Sequence, residues 1–384
     1  MEYIALKNIC KINMGQSPDS SSYNDNKDGI PFFQGNADFG EKYPVTRVWC
    51  NAPIKVAQPN DILISVRAPI GALNFAKEEC CIGRGLAALT PDRSKVSLEF
   101  IYWVLKWKKA ELNSKGTGST FKAISRKVLE ETLVPAIDFE KQYEYAEILG
   151  KTYSVIKKYK KELNCLDGLI KARFVEMFGD PATNPYNWDK INISEVVGDK
   201  VSNGFFAKRD DYADDGNVSV MGVAYIVNRM YSQWQDLPRT NGTDKDIEKF
   251  EVKYGDMLFC RSSLVAEGIG KASIVPEDVP QNTLFECHVI RLPLDLSKCV
   301  PEYMQVFSTM EYFRRQIIAQ SKTATMTTIG QDGILKADIL LPPMSKQREF
   351  YAFVHQVNKS KVAVQKALDE TQMLFDSLMQ EYFN

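Results

Sequence analysis

Three stretches in the first half of the chain mix glycine, amide or hydroxyl side chains, and cations. They are Gln34-Gly35-Asn36; Arg67 with Gly71 and Asn74; and Lys115-Gly116-Thr117-Gly118-Ser119-Thr120-Phe121-Lys122. Glycine lets backbone N–H groups approach a phosphate oxygen, while hydroxyls and lysines supply further donors. Arg and Gln can bond in pairs to guanine and adenine edges. The second half offers Lys208-Arg209, Arg229, Arg261-Ser262-Ser263, Lys271, and Lys322 with Thr323, Thr325, Thr327 and Thr328. A loop cation is ordinarily a solvated charge, and a Gly-Thr-Gly-Ser run is ordinarily a turn. It is their recurrence in both halves that makes the set a candidate nucleic-acid surface.

Residues for bond-making chemistry are missing. Gly268-Ile269-Gly270-Lys271 shares only its lysine with a phosphate-cradling loop, and Ala272 stands where a magnesium-holding hydroxyl is needed. Gly83-Arg84-Gly85 is too short for a dinucleotide fingerprint. Asn184-Pro185-Tyr186 lacks one proline of the motif with which amino-methylating enzymes hold a flipped base, and it lies in a linker. Asp19, Asp25 and Lys27 have the types of a metal-dependent nuclease but crowd into a Ser- and Asn-rich loop. With only His288 and His355 present, serine and cysteine nucleophile schemes lack a base. Cys287 and His288, as strand neighbours, would face opposite ways and share no metal. The expectation is no catalysis, no metal and no cofactor held by this chain.

Composition sets the frame for these residues. With 44% hydrophobic residues and 11% aromatic, 384 residues can build two to three cored domains. The formal net charge is −1, from 48 Lys+Arg against 49 Asp+Glu, so a surface for a polyanion must be local. Eight scattered cysteines form no CxxC pair and read as reduced thiols, most of them buried. Apolar runs fall far short of a span of about 20 residues, and Met1-Glu2-Tyr3 does not begin a signal peptide. A cytoplasmic protein without membrane contact is expected.

The elements that must position the candidate residues occur twice. Tyr145, Leu149, Thr152, Ile156, Tyr159, Leu163, Leu166, Ile170, Arg173 and Met177 alternate four and three apart, as in helices that supercoil. A shift of 205 lands on Phe350, Val354, Val357, Lys361, Val364, Leu368, Thr371, Phe375, Leu378 and Tyr382. Leu149, Ile156, Leu163, Ile170, Val354, Leu368 and Phe375 are the expected helix seam and partner-binding residues. Each helix follows a proline turn, Leu133-Val134-Pro135 or Leu341-Pro342-Pro343, and soon reaches Lys141-Gln142 or Lys346-Gln347. Upstream, Gly29-Ile30-Pro31-Phe32-Phe33-Gln34-Gly35 answers Gly216-Asn217-Val218-Ser219-Val220-Met221-Gly222. Asp61-Ile62-Leu63-Ile64 followed by Arg67 answers Asp256-Met257-Leu258-Phe259 followed by Arg261. A long period present twice is a tandem duplication and not a solenoid.

Helices covering roughly 140–178 and 346–383 would each span about 60 Å at about 1.5 Å per residue. Packed antiparallel, they predict a rod with a module at each end, comparable with about 17 base pairs of duplex. Such a rod would hold two half-sites at fixed separation. Its quasi-symmetric flanks would suit two copies of another protein.

These motifs, in this order and repeated, resemble the specificity subunits of type I restriction-modification systems. The features that carry the resemblance are Gly15-Gln16-Ser17-Pro18 leading into Gly29–Gly35, Asp61 to Arg67, and Gly116-Thr117-Gly118-Ser119 before Leu133-Val134-Pro135. In the second half they are Gly255-Asp256-Met257-Leu258-Phe259-Cys260-Arg261-Ser262 and Leu340-Leu341-Pro342-Pro343 with Lys346-Gln347-Arg348. The resemblance covers nearly the whole chain; the Leu-Pro-Pro element is complete only in the second half.

The resemblance implies an α+β fold with an internal tandem duplication: two mixed α/β target-recognition domains separated by two long helices packed as an antiparallel coiled coil. The boundaries read as 1–137, the first recognition domain; 138–180, the central helix; 181–345, the second recognition domain; and 346–384, the C-terminal helix. It also implies double-stranded DNA as ligand, two methyltransferase subunits that bring S-adenosylmethionine, and a restriction/translocase subunit that brings ATP and Mg chemistry. The alternatives are the recognition subunit of a methylation-only or fused nuclease-methylase system, and a coiled-coil protein scaffold that binds no DNA.

Overall fold

The computed structural model describes residues 2–118 and 122–384. The chain divides into two compact units, 1–160 with 365–384, and 161–364. The first holds a four-stranded antiparallel sheet in the order Cys10–Met14, Leu86–Pro91, Ile62–Ser65, Leu73–Phe75. The second repeats it as Ser202–Asn203, Val289–Leu292, Met257–Cys260, Ala272–Ile274. Ile62–Ser65 and Met257–Cys260 are buried at every position, which is why Ile62-Leu63-Ile64 and Met257–Cys260 read as unbroken apolar runs. The units differ in their second sheet, which has five strands in the first unit and three in the second. Each keeps one parallel pairing, Ile30–Phe33 on Cys80–Ile82 or Val218–Met221 on Thr283–Phe285.

The repeated aspartate before the apolar strand closes a turn. Asp61 accepts a hydrogen bond from Gln58 N–H at 2.8 Å and returns one to Gln58 O. Asp256 does the same with Lys253. The residue before each aspartate sits in the left-handed region, Asn60 at φ 70° and Gly255 at φ 82°, where Asn and Gly are the favoured types.

The repeated glutamine has an equally definite role. In the first turn of the long helix Phe139–Phe178, buried Gln142 accepts from Ser97 N–H at 2.8 Å and donates to Ile137 O at 2.9 Å and Lys95 O at 3.5 Å. In Met344–Phe383, buried Gln347 accepts from Val300 N–H at 2.8 Å and donates to Pro342 O at 2.8 Å and Lys298 O at 3.3 Å. Ser97 and Val300 cap the helices Leu98–Trp107 and Pro301–Thr309, so each glutamine satisfies a helix-start N–H that a buried cap leaves without a partner. Gln347→Ala strands three buried backbone groups and is expected to cost about 2 to 4 kcal/mol. A fall in the thermal midpoint well beyond that of an exposed Gln365→Ala control checks this.

Within each unit the long helices run antiparallel. In the first, Tyr145 stacks on Tyr382 with centroids 3.8 Å apart, and Tyr153 meets Phe375 at 5.6 Å, with Trp103 against both. In the second, Phe174 and Phe178 pack on Phe350 and Tyr303. Of the seam residues, Leu149, Ile156, Ile170, Val354, Leu368 and Phe375 are buried and Leu163 is half-buried. The polar exceptions each have partners, although the Arg173 Nε is buried without one. Thr152 and Thr371 donate to the carbonyls of Ile148 and Ala367 in their own helices. Arg173 pairs with Glu176 and Glu349, and Lys361 with Asp167.

Candidate nucleic-acid interface

In the first unit four side chains from three segments line one shallow depression: Gln34 and Asn36, Arg67, and Arg84. Gln34 follows strand Ile30–Phe33, and the Asp38 carboxylate fixes its loop by accepting from the N–H groups of Gln34 and Gly35 at 2.7 and 3.2 Å. Arg84 comes from the Gly83-Arg84-Gly85 turn, which is too short for a dinucleotide fingerprint and instead presents a cation. Its glycines permit close approach to that loop, for a Cβ on Gly85 would lie 2.4 Å from the Gln34 carbonyl oxygen. Arg67 and Arg84 are exposed, and neither makes an ion pair among the described residues. Two guanidiniums without an ion-pair partner, beside two amides and an Asp38 carboxylate engaged by backbone N–H groups, can hold phosphates or read guanine edges.

Lys122 joins this edge through the backbone. Ala68 N–H donates to Lys122 O at 3.1 Å, Ile124 N–H donates to Val66 O at 2.9 Å, and Thr117 and Ala123 exchange two bonds of 2.9 Å. Lys122 is exposed, whereas Lys115 spends its charge on Glu111 at 2.6 Å. Ser119 and Thr120 lie outside the described residues. Asn74 is a correction: it is buried, accepting from Gly40 N–H and donating to the Gly40 and Leu73 carbonyls, so its amide clamps the interior instead of facing a ligand.

The second unit builds the corresponding edge from different side chains. Ile329 N–H donates to Arg261 O at 3.0 Å, the bond that Ile124 makes to Val66. Structurally, then, Arg261 answers Val66 and Ser262 answers Arg67, which corrects the alignment of the two arginines. Arg261 donates to Cys287 O at 3.0 Å, holding the turn that answers Gly83-Arg84-Gly85. Cys287 and His288 occupy that turn and not a strand, and the His288 ring nitrogen lies 3.2 Å from the Ser262 hydroxyl. Ser262–Ser263, Lys322–Thr323 and Thr327–Thr328 form a small three-stranded ribbon. Lys322 and Thr325 are exposed on it. Thr327 is buried with its hydroxyl 3.0 Å from that of Thr323, so it too is withdrawn from the surface. Lys208 and Arg209 are exposed on a neighbouring loop. Arg229 and Lys271 face a separate cavity, described below. Leu264, 82% exposed, projects beside the ribbon.

The thiols at this edge are not activated, because burial pushes both Cys260 and Cys287 upward. Burial likewise raises Asp256 to about 6, outweighing Arg291, whose Nε lies 3.7 Å from the carboxylate. The folded unit therefore binds this proton more tightly than the unfolded chain. The associated stability is fully present below about pH 4 and is lost as pH rises through about 6, on the order of 3 kcal/mol. Asp256→Asn keeps the acceptor for Lys253 N–H and is expected to flatten the unfolding free energy between pH 4.5 and 7, as read by urea titration.

Among the described residues no group of three or more His, Cys, Asp or Glu could hold a metal ion, and no helix is long and apolar enough to cross a membrane. The family model of the type I restriction modification DNA specificity domain matches residues 1–165. A provisionally named MjaX type I restriction enzyme specificity subunit of Methanocaldococcus jannaschii is 44% identical over 152 residues, which is 40% of this chain and 36% of that relative's own length. The EcoBI specificity subunit of Escherichia coli is 18% identical over 421 residues, 98% of this chain and 83% of its own. The solved type I restriction-modification S subunit of M. genitalium shares the fold, with TM-score 0.57 at 12% identity over 100% of this chain and 96% of that one. Duplicated sheets and paired long helices agree with these matches: residues 1–165 match the type I restriction modification DNA specificity domain, and the chain as a whole is similar in sequence and fold to type I restriction-modification specificity subunits.

Proposed function

We propose that this chain is the non-catalytic DNA-recognition subunit of a type I restriction-modification complex, each recognition domain reading one half of a bipartite, asymmetric target. The convergence of Gln34, Asn36, Arg67 and Arg84 on one depression carries this reading. The recognition domains would be 1–137 and 181–345. The helical stretches 138–180 and 346–384 would set half-site spacing and dock two methyltransferase subunits through surfaces outside the buried seam. S-adenosylmethionine would enter with those subunits, and ATP and Mg with a restriction/translocase subunit, all in the cytoplasm with the chromosome. Asymmetry follows from chemistry. Two arginines and a glutamine suit guanine and adenine edges, whereas hydroxyls, His288 and Leu264 suit mixed hydrogen bonding and a thymine methyl.

The test is binding of the assembled complex to a library of duplexes. Selection of two separated half-sites, with affinity falling steeply in salt, supports the reading. Sequence-independent binding would contradict the reading, and absent binding would leave the protein scaffold in its place.

A further inference from the structure

The second unit contains a half-open cavity of about 650 Å³ that the recognition edge does not account for. Lys171 and Lys361 project into it from the two long helices, Arg229 and Lys271 from the sheet side, and Arg314 from the helix Glu311–Ala319. Asp167, on the same wall, is taken by Lys361 at 2.5 Å. The other four cations meet no carboxylate within 4.0 Å among the described residues, since Lys271 donates to the Asn228 amide and Arg229 to the Gln233 amide and to carbonyls. Arg314 donates through Nη2 to Glu267 O at 3.1 Å, while its Nη1 is buried with no partner at all.

Four positive charges without a carboxylate partner repel one another around this half-open concavity, most strongly where its walls limit solvent screening at half-buried Arg229, Lys271 and Arg314. A buried guanidinium N–H without an acceptor adds the cost of an unmade charged hydrogen bond. One anion with several oxygens relieves both. The volume lies in the range of small-ligand sites, and Ile170 and Met230 give it an apolar wall.

We propose that this cavity is a phosphate-binding site, with Arg314, Lys171, Lys271 and Arg229 as its donors. The phosphate could be supplied by a free phosphorylated small molecule or by the DNA backbone. The site needs no base readout, so it stands apart from the recognition reading.

Inorganic tripolyphosphate, titrated into the full chain by calorimetry at ionic strength held constant with NaCl, is expected to bind saturably at one site. Lys171→Gln with Lys271→Gln should weaken it at least tenfold, and Lys171→Arg with Lys271→Arg should largely restore it. A duplex of random sequence separates the sources. If the backbone fills the site, the glutamine pair weakens duplex binding tenfold and tripolyphosphate displaces duplex from the wild-type chain. If a small molecule fills it, duplex affinity is unchanged while tripolyphosphate binding is lost. The proposal is overturned if the glutamine variant, with an unaltered melting curve, binds both tripolyphosphate and duplex as the wild type does. Failure of base selection would count against the recognition reading alone and leave the tripolyphosphate result untouched.

Discussion

Replacing Arg84 and Arg67 together by glutamate is expected to weaken specific duplex binding by the assembled complex at least a hundredfold. Each guanidinium that pairs with a base edge contributes about 1 to 3 kcal/mol of discrimination. Reversal also places two new acids beside Asp38, in a depression that must receive a polyanion. Both arginines are exposed and unpaired among the described residues, so the fold should be kept. Arg84→Glu alone should account for tenfold or more and should relax base preference at one position of one half-site. Fluorescence anisotropy at two salt concentrations reads both effects. Affinity within threefold of wild type for the double variant would remove this depression from the interface.

The second large effect falls on stability. Phe174→Ala is expected to destabilise the second unit by about 3 to 5 kcal/mol. Phe174 is fully buried in the long helix and touches Phe178, Tyr303, Phe307 and Phe350, which come from its own helix, the domain helix Pro301–Thr309 and the second long helix. Truncation opens a cavity where three elements meet, and rings wedged edge to face cannot easily close it. The exposed Val175→Ala is the natural control. Denaturant unfolding should show the loss in the transition of residues 161–364, and a change under 1 kcal/mol would mean that the long helix is not part of that unit's core.

Legibility in the sequence followed the physics of each element. The two helices announce themselves because their seams repeat every 3.5 residues over ten positions. The paired Lys-Gln dipeptides marked the helix starts, yet nothing in one dimension told that Gln142 and Gln347 reach into the domains to hold Ser97 and Val300. The aspartates before the buried strands were visible as a repeat, and their turn geometry explains why that residue type recurs.

Loop assignments fared differently. Pairing Arg67 with Arg261 trusted side-chain identity, whereas the backbone bonds of Ile124 and Ile329 fix the register one residue away. Asn74 and Thr327 look like surface polar residues until the chain folds over them; burial of a polar group is decided by distant partners such as Gly40 and Thr323. Arg84 was missed because its turn is joined to Gln34 only through the parallel strand pair Ile30–Phe33 and Cys80–Ile82, a contact about 50 residues apart in the chain. The signal available was the glycine on each side of a cation, which marks close backbone approach. The cationic cavity was likewise invisible, since Lys171, Arg229, Arg314 and Lys361 share no local pattern.

The measurement that bears most directly on the central claim is sequencing of methylated bases in cells expressing this chain with its genomic neighbours, with and without its in-frame deletion. The account predicts a two-part methyladenine motif that vanishes with the deletion. It is contradicted if the methylated motifs are unchanged while the partner methyltransferase is present and active.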